Sequence, residues 1–156
     1  MDIKLLQRTL EETFSANFVA YYRAHVAHVN TVGRNFYQDH KLLQKVYEYF
    51  QDNIDTLAEK LRTVRAKMPP DLMTVMHIST IGGGPADGDS IDLLQFVDED
   101  LETMIDQYKE LYEVAEECDY IDISNFAQDQ VGQLAKFRWM IEATLGTSDE
   151  ETDESY

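Results

Sequence analysis

The stretch "MPPDLMTVMHISTIGGGPADGDS", Met68–Ser90, decides how this chain folds. Its two prolines end whatever helix precedes them, and Gly82–Gly84, Pro85 and Gly88 keep its second half out of regular structure. The apolar part between, Leu72 to Ile81, suits a short helix or a packed strap. The whole segment is too long for a turn, so the elements on either side of it are not hairpin partners.

Upstream, Leu6, Leu10, Phe14, Phe18, Tyr21, His25 and His28 recur at three- and four-residue steps and make one long amphipathic helix of the first thirty residues. Gly33 offers a left-handed stop just beyond it, and Asn35 with Gln38 offers a capping box for the next helix. That helix carries Leu43, Tyr47, Phe50, Ile54, Leu57, Leu61 and Val64 and is expected to run to about Lys67. Downstream, Leu94, Val97, Leu101, Met104, Tyr108, Leu111 and Ala115 follow a start at Asp89 or Ser90. A last helix is expected from about Ser124 to Leu145, stopped by Gly146.

Four helices of this length, joined tightly in pairs and linked by one long crossover, give an all-α fold: a ferritin-like four-helix bundle whose crossover carries a short helix. Residues 1–146 form that domain, and 147–156, within "GTSDEETDESY", read as an acidic, solvated tail. The single Cys118 excludes an internal disulfide and a Cys-rich zinc site. No apolar run reaches the ~20 residues of a membrane span, and the start "MDIKLLQRTLEE" lacks the pattern of a secretory signal, so a cytoplasmic location and no membrane partner are expected. The 156 residues carry 30 acidic and 13 basic side chains, a formal charge of −17. That balance opposes binding to nucleic acid, whose affinity comes from Lys and Arg, and favours attraction of cations, although solubility alone also accounts for it.

The chemistry of the four histidines is constrained by what is missing beside them. A di-iron site inside a bundle uses Glu-x-x-His pairs, and the residues three before His25, His28, His40 and His77 are Tyr22, His25, Tyr37 and Thr74. The candidate ligands that remain are His28 and His40, which flank the first turn, and Asp55 and Glu59, which share a face of the second helix. Taken singly, a hydrogen-bonded core histidine and a solvated acidic face are the more common explanations of these residues. If the four do act together, Asp55 lies about 22 Å along the helix from His40, beyond reach of one ion. A symmetric second copy must then supply the carboxylates, giving two equivalent sites per dimer.

The stretch "AHVNTVGRNFYQDH", Ala27–His40, together with "DTLAEKL" from Asp55 and "LAKFRWMIEATL" from Leu134, resembles the Dps proteins, or mini-ferritins. The resemblance covers nearly the whole chain. It implies a dodecameric hollow shell that oxidises Fe(II), usually with hydrogen peroxide, and stores the ferric mineral, protecting against iron and peroxide damage. It also implies iron ligation, and catalysis, by His28 and His40 of one subunit with Asp55 and Glu59 of its partner.

The chain departs from the family pattern at two places. Gln44 stands where an acidic residue is common, which removes a negative charge from the second iron position, and Val29 stands where a tryptophan is frequent. A shell with weakened or lost ferroxidase activity is therefore the alternative reading. His25, one turn before His28, is an additional candidate ligand, with a core or interface role as its ordinary explanation. The family's DNA binding relies on basic tails, whereas this chain offers only Lys4 and Arg8 at one end and five acidic residues in eleven at the other, so DNA binding is not expected. Asp119 and Asp122 fall where such shells admit cations through pores, and helix capping is the competing role of Asp122.

Overall fold

Five helices and no strand are found among the described residues, 2–147, of the computed structural model: α1 (Ile3–Asn30), α2 (Phe36–Thr63), α3 (Leu72–Ile78), α4 (Ser90–Glu117) and α5 (Ile121–Leu145). The four long ones make the bundle. Their stripes meet in one core, built from Leu6, Leu10 and Phe14 of α1, Phe50 and Leu57 of α2, Leu101 and Tyr108 of α4, and Leu134 and Ile141 of α5. Burying each large apolar side chain contributes roughly 1.5–3 kcal/mol before chain entropy is set against it.

Hydrogen bonds at both ends fix the topology. Gln7 Nε2 donates to the Val64 carbonyl (2.8 Å), so α2 ends beside the start of α1. Thr31 Oγ1 and Ser90 Oγ share a bond of 2.7 Å, so α4 begins beside the end of α1. The crossover therefore travels the length of the bundle, as a connection between non-partners must. Its α3 is capped by the Asp71 carboxylate, which accepts from the Thr74 amide (2.8 Å). Buried Val75 and Ile81 hold the crossover to the bundle. Arg23 completes the attachment, pairing with Asp100 (2.6 Å) while donating to the Gly84 carbonyl.

Several expected boundaries move, each for a local reason. The second helix stops at Thr63 rather than Lys67, because Arg65 turns left-handed (φ 64°) and the Ala66 amide donates back to the Leu61 carbonyl (2.9 Å) before the prolines are reached. The same motif ends α4, with Asp119 at φ 59°, and it lets α5 begin at Ile121 instead of Ser124. Gly33 has φ 120°, but it is not the stop of α1, which already ends at the extended Thr31. Asn35 is the N-cap of α2 without a side-chain capping bond, so the expected box with Gln38 does not form. The capping box of this chain is at α4, between Asp89 and Asp92. Of the acidic tail, residues 148–156 lie outside the described residues.

Candidate metal centre

The short α1–α2 turn brings the end of one helix against the start of the other, and it places His28 and His40 face to face. Their rings stack with centroids 3.7 Å apart. His28 Nδ1 donates to the His40 carbonyl and His40 Nδ1 to the His28 carbonyl, both at 2.7 Å. A carbonyl can only accept, so each ring carries its proton on Nδ1 when neutral and leaves the Nε2 lone pair available. Such main-chain anchoring of one nitrogen is what orients an imidazole to ligate through the other. Burial is the largest cause that holds the His28 pKa below its ordinary 6.5, which favours the neutral ring.

Other rings pack around this pair. Tyr47 meets the His28 ring edge-on (4.9 Å between centroids) and stacks on His25 (4.2 Å, interplanar 1°). Tyr21 shares a 3.1 Å hydrogen bond with His25 Nδ1, so one nitrogen of His25 is engaged by a phenol. Phe36 stacks on the far side of His40 (4.9 Å). Gln44, one turn after His40, donates through Nε2 to Glu48 Oε1 at 2.8 Å. Glu48 in turn acts on the His28 imidazole through its charge, which opposes the effect of burial. Tyr47 and Glu48 were not singled out from the sequence: Tyr47 reads there as one more core position, and a lone exposed Glu carries no signal.

Asp55 and Glu59 are exposed on α2 and do not join the histidines within one chain. Among the described residues, no group of three or more His, Cys, Asp or Glu converges to hold a metal ion. At the other end of the bundle, Asp119 and Asp122 are both exposed. The N-cap of α5 is Tyr120, so Asp122 sits in the first turn rather than capping it. A carboxylate there still interacts favourably with the helix dipole.

Comparison with known proteins fits this geometry to a family. The ferritin-like domain model matches residues 7–150. The DNA protection during starvation protein of Helicobacter pylori is 30% identical over 129 residues, covering 81% of this chain and 89% of that protein. The chain belongs to the Dps family. Solved structures agree on the Dps fold. The Dps protein of Vibrio cholerae O1, described as belonging to a broad superfamily of ferritin-like diiron-carboxylate proteins, superposes with a TM-score of 0.86. It is 22% identical, over 92% of this chain and 90% of that one. The dodecameric thioferritin of Bacteroides fragilis, a bacterioferritin-related protein, reaches 0.87 at 18% identity, over 100% of this chain and 92% of that one. This Dps-family chain has no helix long and apolar enough to cross a membrane among its described residues.

Proposed function

We propose that this Dps-family protein oxidises Fe(II) at sites shared between two subunits, with hydrogen peroxide or dioxygen from solution as the acceptor of the electron that each iron gives up, and stores the ferric product inside a homo-oligomeric shell, of twelve copies by analogy with the thioferritin. The observation that carries the reading is the reciprocal anchoring of His28 and His40, which commits each Nδ1 to the other's main chain and leaves both Nε2 atoms uncommitted, while no further His, Cys, Asp or Glu of the same chain joins them in a metal-binding group among the described residues. Iron is the substrate. In this reading the two imidazoles hold Fe(II), while Asp55 and Glu59 of a second subunit add the oxygen ligands and negative charge that favour the ferric state.

The register of the hairpin supports a two-fold arrangement. With His28 level with His40, and Asn17 Nδ2 donating to the Phe50 carbonyl (2.8 Å), α1 and α2 run antiparallel in step. Asp55 and Glu59 then lie at about the level of Thr13 and Thr9. An axis that exchanges the histidine level with the acidic level must cross α1 midway, near Phe18 and Tyr22. An apolar groove opens there, lined by Phe18, Tyr22, Val26, Leu72 and Met76, with Tyr22 64% and Leu72 66% exposed. A face of that kind suits a second copy of the chain.

Two single variants test the reading together. His28→Ala and Asp55→Ala, each assembled alone, are expected to oxidise Fe(II) no faster than buffer. Co-assembled from an equal mixture of unfolded chains, they should regain about one quarter of the wild-type sites, because a quarter of the random pairings unite an intact histidine half with an intact acidic half. Recovery of no activity in particles of wild-type size would refute the shared site.

A second reading, a Dps shell with weakened ferroxidase activity, is favoured by Gln44. Its amide is neutral and its nitrogen is occupied by Glu48, so the second iron position lacks a directly placed charge. Assembled wild-type particles that neither retain iron nor accelerate its oxidation would establish that reading instead.

A further inference from the structure

A separate cavity, of about 250 Å³, lies where the α1–α2 turn, the start of α4 and the end of α5 meet. Asp39 lines it. This residue is only 4% exposed, and its Oδ1 has no hydrogen-bond partner. A buried carboxylate oxygen without a donor is unfavourable relative to water unless something supplies one. Arg34, Asn35 and Gln95 also line the cavity, yet none donates to that oxygen.

We propose that this cavity is a binding site for an alkylammonium group, with the Asp39 carboxylate as its anchor. Three features select that chemistry. The carboxylate calls for a charged donor, and Thr144 and Leu145 place the carbonyl end of α5, which favours cations, on the same cavity. Val32, Ile91 and Leu94 give it apolar walls, which suit an aliphatic stem better than a hydrated metal ion. The small volume fits a group the size of a lysine side chain rather than a drug-sized molecule. The starts of α2 and α4 also meet here and favour negative charge, which Asp39 itself provides. The ammonium group has two sources: a small free amine, or a lysine of a neighbouring subunit.

The inference is independent of the iron reading, and its test uses n-butylammonium chloride as the probe, with sodium chloride at equal ionic strength as the reference. If free amines are the source, titration calorimetry should show saturable binding to the wild-type protein that Asp39→Asn weakens roughly tenfold to a hundredfold. The probe should also raise the melting temperature of wild type alone. If a neighbouring lysine is the source, the assembled wild type should not bind the probe, and Asp39→Asn particles should dissociate at lower denaturant than wild type. Because Asp39→Asn removes a buried charge, the variant is expected to stay folded. Equal probe binding by both proteins, or no binding together with unchanged dissociation, would overturn the proposal.

Discussion

His28 and His40 each commit one ring nitrogen to the other's main chain, so losing either side chain also removes a hydrogen bond that ties the end of α1 to the start of α2. Because burial lowers the His28 pKa, the unfolded chain takes up this proton first as pH falls. The contribution of His28 to stability is then complete above 6.5 and is lost as pH drops through the lower folded value. Proton NMR of the ring should give a midpoint below 6.5, and the melting temperature of His28→Gln should depend less on pH than wild type just under that value. At Gln44, substitution by Asp should tighten Fe(II) binding and speed oxidation if the missing charge limits the site. The same change sets like charges on Gln44→Asp and Glu48 four residues apart, at a cost of about 0.2–0.5 kcal/mol, so the faster variant should be the slightly less stable one. Stopped-flow absorbance and urea denaturation measure the two effects.

At the scale of elements, two glycines of the crossover should respond oppositely to the same substitution. Gly88 has φ 126°, and a Cβ there would lie 2.5 Å from the Asp92 carboxylate that closes the α4 capping box. Gly88→Ala is therefore expected to destabilise by more than ~1 kcal/mol. Gly82 has open space around it and no left-handed backbone, so Gly82→Ala should stabilise by about 0.4–1 kcal/mol through the unfolded chain. Urea melts of both variants measure the pair. The helices themselves were legible in the sequence, because apolar spacing reports which face is buried and Met68–Ser90 is too long to join neighbours. Their ends were less so. Arg65 and Asp119 adopt a conformation that sequence rules reserve for glycine, and it ended α2 and advanced α5. The meeting of His28 and His40 was legible, since both lie close to a short turn between antiparallel helices. Tyr47 and Glu48 were not, because their place beside His28 depends on helix rotation, which periodicity fixes only coarsely.

For the whole molecule, the proposed assembly predicts particles of about twelve times 18.0 kDa by light scattering. Each chain contributes a formal −17, so such particles should leave plasmid DNA unretarded in a gel at moderate salt, and a retarded band would show that charge has been outweighed. The exposed Tyr22 and Leu72 give a further expectation: Tyr22→Asp should shift the population toward smaller species with little change in helical content, measured by the same scattering and by circular dichroism. The antiparallel register that sets the acidic pair far from the histidines has one more consequence. In the proposed arrangement a newly made, solitary subunit would hold only half of each reaction centre, so iron oxidation would begin only after two chains have met.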